Sequence, residues 1–410
     1  MKQFFNVITP QKLLSFINDF SYVESETISI DKCLGRFLAE DIIAQENIPP
    51  FRRSTMDGYA VNSASTFGAS ESNPALLFIK ETISMGAIPN QSIELQEASK
   101  ISTGGALPVG ADSVVMVEYT DLLDENTIEV YKSVAPNQHI IDVGEDILKN
   151  SIQCQLGQEI RPQDVGCCAA LGMSKVKVFK KPKIGIISTG DEIVSIDQEP
   201  SMGQVRDINR YSLSSQVYQN GGKPIFIGIV PDNFDALRLA CEKAVNICDM
   251  IMISGGSSVG MRDYTIEVIQ SFKQAKILAH GVSIQPGKPT ILAKLKNIPF
   301  WGLPGNVASA MIVFNILVRP FLRHIAGEKN PPFYSMPKVK ARLSRNIASS
   351  HGREEYIRVK LENNLSEVIA SPVQGKSGLI KTMVQADGLI VVPENSEGLE
   401  KDDLVEVLVI

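Results

Sequence analysis

Apolar and polar positions follow two different rhythms along this chain. Thr9 and Pro10 precede an apolar stripe of Leu13, Leu14, Phe16, Ile17 and Phe20, which predicts a capped amphipathic helix. From about residue 75 to 135 the runs shorten, at 76–80, 113–118 and 127–132. Gly and Pro separate them, which predicts a small β-rich domain. Residues 161–172 read as a short helix, with Pro162 in its first turn and Gly172 just past its end. The rhythm then changes. Strand-length apolar runs at 183–188, 224–230, 249–254, 276–284, 290–295 and 299–302 alternate with helical patterns at 208–220, 234–246, 263–272 and 306–325. That alternation predicts a doubly wound, mostly parallel α/β sheet covered on both faces. Pro331 and Pro332 interrupt the pattern. The runs at 356–361, 367–370, 389–392 and 404–410 predict a second small β-domain.

At roughly 150 residues per domain, 410 residues are consistent with several domains. The charge balance is 40 Lys and Arg against 46 Asp and Glu, a net charge of −6, which argues against affinity for nucleic acid. It leaves room for an anionic small ligand in a locally basic pocket. The longest apolar runs, such as 308–317, are short and broken by polar residues, so no membrane-embedded segment is expected. The first ten residues lack a basic stretch followed by an apolar core. No secretory leader is expected, and a cytoplasmic location is. Six cysteines form no C-x-x-C pair and read as buried thiols of a reducing compartment. Four scattered histidines offer neither a zinc site nor a histidine-dependent triad.

Ligands of an open α/β sheet bind at the carboxyl ends of its strands. The segments that follow the strands are Ser188-Thr-Gly-Asp-Glu192, Pro231-Asp-Asn233, Ser254-Gly-Gly-Ser-Ser-Val-Gly260 with Asp263, Pro286-Gly-Lys-Pro289 and Leu303-Pro-Gly-Asn306. They are expected to meet at one crevice. Ser254 to Gly260 and Gly305–Asn306 can offer backbone N–H groups to phosphate at helix starts. Lys288 supplies positive charge. Glu192, Asp232 and Asp263 are hard oxygen ligands suited to Mg²⁺. No strand ends in G-x-G-x-x-G, and Pro289 stands where a Walker A loop needs Ser or Thr, so dehydrogenase and P-loop readings are disfavoured. Three further stretches lie outside this region: the loop around Asp57, the segment from Ser102 to Asp112 leading to Glu118, and the acidic turn Val143-Gly-Glu-Asp146.

Taken in order, these stretches resemble the MoeA (gephyrin E-domain) family of molybdopterin molybdenumtransferases. The matching motifs are Ser54-Thr-Met-Asp-Gly-Tyr-Ala-Val61, Thr103-Gly with Pro108-Val-Gly-Ala-Asp112, Gly144-Glu-Asp-Ile147 and Arg161-Pro-Gln-Asp-Val-Gly166. Arg206-Asp-Ile-Asn209 and the strand-end loops complete the set, which runs over nearly the whole chain. The resemblance implies a linker domain from 1–45 and 147–178, an inserted β-domain at 46–146, an α/β molybdopterin-binding domain at 179–327 and a C-terminal β-barrel at 328–410. It implies an elongated subunit and a homodimer whose active cleft lies between subunits, with contact to the molybdopterin adenylyltransferase.

The implied reaction inserts molybdate into adenylylated molybdopterin with release of AMP, assisted by Mg²⁺. The residues implied as catalytic are Asp57, Thr103, Asp146, Glu192, Asp232, Asp263 and Lys288, with Asp57 chosen to orient or deprotonate water. Ser254, Gly255, Gly256, Pro286, Gly287, Pro304, Gly305 and Asn306 are implied to bind the ligand. Arg353 and Ser377 are implied to reach the partner's cleft. Gln285 departs from the family's usual lysine and removes one positive charge, for which Arg262, Lys376 or Lys381 could compensate. Val307 departs from its usual proline. Two other activities fit the same fold. An adenylyltransferase would not need the extra β-domains, and a non-enzymatic scaffold would not need the carboxylates.

Overall fold

The computed structural model describes residues 7–255, 264–329, 336–364 and 367–410. By packing the chain divides into two units. Unit 1 comprises the N-terminal segment to Glu40, Leu156–Arg161 and Lys175–Ile410; unit 2 comprises Asp41–Gln155 and Pro162–Ser174.

Unit 1 is built on a six-stranded sheet: β1 (Lys183–Thr189), β2 (Lys223–Val230), β3 (Met250–Ser254), β4 (Ala275–His280), β5 (Ile291–Leu295) and β6 (Ile298–Leu303). The spatial order is β2-β1-β3-β6-β5-β4. The first four strands run parallel and β5 runs antiparallel to both its neighbours. Strand alternation feeds two cores. Ile184, Ile186, Met250, Met252 and Trp301 pack on one face with α1 (Asn209–Gln219) and the long helix that follows β6. Ile187, Ile251, Ile253 and Phe300 pack on the other face with α2 (Phe234–Ile247) and α3 (Tyr264–Ser271). Residues two apart on a strand share a face, so near-continuous apolar runs serve a sheet buried on both sides.

The long helix α4 (Val307–Ile325) contains a π-helical turn at Phe314–Val318. Pro320 follows that turn and has no N–H to give to the carbonyl four residues back. By length and composition this helix could cross a membrane, but 78% of its apolar window is buried inside the protein. Its hydrophobicity is core packing. The N-terminal helix Pro10–Leu14 is capped as expected, Thr9 accepting from the Lys12 N–H, and continues as a tighter turn over Ser15–Asp19. Leu13, Leu14 and Phe20 join the same core as α4.

The C-terminal part of unit 1 is a closed barrel of β7 (Lys338–Leu343), β8 (Glu354–Asn364), β9 (Glu367–Pro372), β10 (Gly388–Val392) and β11 (Leu404–Val409). Pairing runs β8-β9-β7-β11-β10 and returns from β10 to β8. One expected strand is divided. The run 276–284 ends as β4 at His280, and Ile284–Gln285 pairs instead with β8 of the barrel. Gly281 N–H bonds to Thr290 O and Val282 N–H to Lys288 O, which turns the backbone out of the α/β sheet at that point.

Unit 2 holds a second six-stranded sheet, in the order Ser113–Met116, Gly58–Val61, Glu97–Ile101, Ala75–Ile83, Thr127–Val130 and Thr120–Leu122. The expected strand 113–118 stops at Met116, because Val117 N–H turns to the Asp57 carbonyl and begins a tight helical turn that carries Glu118. Of the segments assigned to a linker domain, Ser25–Ser29 pairs with Lys175–Phe179 in unit 1, and Ile42–Ile43 pairs with Ile152–Cys154 in unit 2.

Candidate functional site

The carboxyl edge of the α/β sheet carries a cavity of about 910 Å³. Its lining includes Glu192, Asp232, Ser254, Gly255, Pro304, Gly305 and Asn306, which the sequence had singled out, together with Asp191 and Arg206 to Asn209. Thr189 Oγ1 donates to Asp232 Oδ1 at 2.6 Å, and the Asp232 N–H donates to Asp191 Oδ1 at 3.1 Å. The ends of β1 and the loop after β2 are thereby locked together, and one Asp232 oxygen has a fixed direction. Gly255 has φ +114°, and a Cβ there would lie 2.1 Å from the Thr189 carbonyl oxygen. Only glycine permits the end of β3 to approach β1 so closely.

Gly256 and Asp263 lie outside the described residues. Among the described residues no cluster of three His, Cys, Asp or Glu side chains is placed to hold a metal ion. Glu192 and Asp232 nevertheless line one cavity, and Mg²⁺ commonly takes one or two carboxylates and completes its shell with water and substrate phosphate. That donor set suits the ion.

Each of the five strand-end loops contributes to this cavity, the fourth through Pro289. Pro286, Gly287 and Lys288 line a second pocket of about 630 Å³ between the loop before β5 and the barrel. Among the described residues this pocket gathers Lys288, Arg345, Arg353, Arg358 and Lys376 against one lining carboxylate, Glu355. Lys288 thus lines the second pocket, while Glu192 and Asp232 line the first. The reason is the turn at Gly281, which sends Ile284–Gln285 onto the barrel and carries Pro286 to Lys288 with it. Gly287, φ +114°, packs where a Cβ would meet Val313 at 2.4 Å, so the loop lies directly on α4.

Gln285 Nε2 donates to Glu355 Oε1 at 3.2 Å, and Ser349 Oγ donates to Glu355 Oε2 at 2.7 Å. Arg358 donates to Gly375 O at 2.8 Å and to Thr382. Burial pulls its guanidinium below the ordinary value; an arginine still remains charged. Of the residues named as possible compensation for Gln285, Lys376 lines this pocket. Lys381 begins the short helix Lys381–Val384, and Arg262 is outside the described residues.

The two pockets adjoin. Pro289 lines both. Asn306 Nδ2 donates to Ser377 Oγ at 3.0 Å, and the Ser377 carbonyl accepts from the Ala308 N–H at 3.0 Å. Ser377 therefore lies against Asn306 of its own chain and caps the start of α4, while Arg353 lines the basic pocket. The arginines at 345 and 358 carried no motif, since they sit on barrel elements that meet the loop 286–289 only in the tertiary fold.

In unit 2 the exposed Asp57 carboxylate accepts the Thr103 N–H at 2.9 Å. Gly104 N–H bonds to Ser54 O and Ser54 N–H to Gly105 O, which fastens the two loops together. Glu118 follows Val117, whose N–H holds the Asp57 carbonyl. Asp146 is also exposed, on a turn anchored by its N–H to Ile48 O at 3.1 Å. It lies close to Cys167, whose thiol is pushed up by burial and further by the Asp164 and Asp146 carboxylates.

Comparison with known proteins places the whole chain. The profile of the MoeA N-terminal region (domain I and II) matches residues 8–172. A profile described as a probable molybdopterin binding domain matches 185–324, and the MoeA C-terminal region (domain IV) matches 340–410. A molybdopterin biosynthesis protein of Methanocaldococcus jannaschii is 34% identical, covering 97% of this chain and 94% of its own length. The molybdopterin molybdenumtransferase of Haemophilus influenzae is 31% identical over 94% of this chain and 93% of that protein. The crystal structure of a molybdopterin biosynthesis MoeA protein from Pyrococcus horikoshii superposes with a TM-score of 0.86, at 31% identity, covering 99% of this chain and all of the other. The order of the loops, the closed barrel and these full-length matches agree: the chain belongs to the MoeA family of transferases in molybdenum cofactor biosynthesis.

Proposed function

We propose that this protein transfers molybdenum from molybdate to adenylylated molybdopterin and releases AMP. The observation that carries this reading is the pair of adjoining pockets of opposite character. One offers carboxylates and glycine loops, the other five cations around an opening suited to an oxyanion. The first suits a phosphoanhydride brought with Mg²⁺, which Glu192 and Asp232 would hold and which would offset phosphate charge. Backbone N–H groups beside Gly255 and Gly305 then orient the phosphates. The second suits molybdate, with Lys288, Arg353 and Ser377 among its donors. A dithiolene reaching from one pocket to the other would meet the metal oxyanion while its phosphoanhydride remains in the first; its two sulfurs bind molybdenum as one molybdate oxygen leaves with both thiol protons as water. Water cleaves the anhydride; phosphate stays on the pterin and AMP departs.

Asp57, held by the Thr103 N–H, is our choice for the group that orients this water. The resemblance further supports a homodimer in the cytoplasm that receives its substrate from the adenylyltransferase. The test is AMP release from adenylylated molybdopterin given molybdate and Mg²⁺, alongside a relative of established activity. No AMP from this chain, where the relative turns over, refutes the proposal. AMP release that continues without added divalent ion, in the presence of chelator, refutes the role of Mg²⁺. A monomer in sedimentation under turnover conditions refutes the dimer.

A further inference from the structure

Arg206-Asp-Ile-Asn209 remains without a role once the two pockets are assembled, yet it ties together loops from three other places in the chain. Val205 N–H donates to Glu192 O at 2.8 Å and Asp207 N–H to Val194 O at 2.9 Å. The short parallel ladder of Ile193–Val194 with Val205–Arg206 thereby fixes this segment to the Glu192 loop. Asp207 is only 3% exposed, and its Oδ1 accepts the Arg210 N–H at 3.0 Å, which sets the first turn of α1. Asn209 then stands at the first residue of that helix with both amide hydrogens engaged. Its Nδ2 donates to Ser254 Oγ at 2.5 Å and to Gly305 O at 2.8 Å. The Gly305 carbonyl can only accept, so it fixes which end of the amide is nitrogen, and the Ser254 hydroxyl then accepts as well. Ser254 ends β3, and Gly305 follows β6. The backbones they belong to lie side by side, since a Cβ on Gly305 would come within 3.6 Å of Gly255 Cα.

We infer that Asn209 is a positioning residue: its single amide sets the spacing of Ser254–Gly255 at the end of β3 and Gly305 after β6, the two backbone segments that receive the ligand's phosphates. This rests on the phosphate reading of the cavity given above. Glycine loops are conformationally free, and ordering them at the moment of binding would weaken affinity. A side chain that holds both segments at the ligand's spacing beforehand removes that cost. Its loss is therefore expected in binding more than in folding.

The test uses the full-length protein with AMP and Mg²⁺, by calorimetry, with thermal melts and steady-state kinetics on the same samples. Wild type binds AMP. Asn209→Ala weakens AMP binding about tenfold and raises KM in proportion, with kcat little changed and only a small shift in melting temperature. Ser254→Ala costs less in the Asn209→Ala background than alone, because the tie it serves is already absent. If Asn209→Ala does not fold, the isosteric Asn209→Asp, which turns an acceptor toward Gly305 O, shows the same loss. An Asn209 variant that binds AMP within twofold of wild type overturns the inference and leaves the phosphate reading standing. So do losses that simply add in the double variant, or a lower melting temperature with unchanged KM. A folded wild type that binds no AMP overturns both.

Discussion

Gly255→Ala tests the close approach on which the first pocket depends. The added methyl would sit 2.1 Å from the Thr189 carbonyl oxygen and 3.2 Å from Thr189 Cγ2, and φ at this position is +114°. Two costs combine. An L-residue in this left-handed region is disfavoured by about 1–2 kcal/mol. The overlap forces one strand end to move by about 1 Å, comparable to overpacking at about 1–3 kcal/mol. Gly203→Ala separates them. Gly203 has φ +89° and nothing within 4 Å of an added Cβ, so it carries the backbone cost alone. The overlap in Gly255→Ala also pushes on Thr189, whose hydroxyl holds Asp232. Its effect therefore reaches a ligand-facing carboxylate. Thermal melts and AMP binding should show Gly255→Ala losing stability by more than Gly203→Ala and binding AMP at least about tenfold more weakly. Gly203→Ala should bind like wild type. Equal melts for the two variants, with AMP affinity intact in both, would refute the close-approach argument.

Three further outcomes are expected. Lys288→Ala removes one of five cations from the basic pocket, so molybdate binding should weaken and become less sensitive to salt; an unchanged titration at low salt places molybdate elsewhere. Gln285→Lys should raise molybdate affinity by less than about fivefold, because Glu355, already bonded to Gln285, captures the new ammonium; a much larger gain shows that Glu355 does not. Burial pushes the Cys154 and Cys241 thiols up to about 12 and Cys248 to about 11, from an ordinary 9.0. These thiols stay protonated in the fold while the unfolded chain ionises, so the stability they contribute is complete below pH 9 and is lost as pH rises toward those values. Alkylation of the native protein at pH 8 should spare all three and reach them only after unfolding; prompt labelling of Cys241 contradicts its burial.

The α/β sheet was largely legible because its strands and helices announce themselves by period. Strands at 183–188 and 249–254 and the helix at 234–246 fall within a residue or two of β1, β3 and α2. Boundaries failed where a backbone group found a distant partner. The expected strand to residue 284 breaks at Gly281, whose N–H bonds to Thr290 O, and the strand to Glu118 breaks where Val117 N–H meets Asp57 O. The loops of the first pocket were legible too, since glycines and carboxylates after strand ends converge by the geometry of the sheet. The basic pocket was only half legible. Lys288 was named, but Arg358 on β8 and Arg345 in the bend after β7 have no local signature, and the loop 286–289 meets the barrel through strand pairing across about 70 residues.

Local pattern along the chain was enough to assign strands and helices, to find the loops that carry glycine and carboxylate, and to point to a family through the ordered motifs. Each of these follows from local preference or from order along the chain. The three-dimensional fold was needed to show that Lys288 joins a basic pocket adjoining the cavity lined by Glu192 and Asp232. Ile284–Gln285 leaves the sheet and pairs with Glu354–Glu355 of the barrel. That pairing, between residues far apart in sequence, places Lys288 among arginines. The same holds for Asn209. An Asn at the start of a helix looks in sequence like any helix-start residue. Its amide reaches Ser254 and Gly305 because parallel packing brings the ends of β3 and β6 side by side over the start of α1.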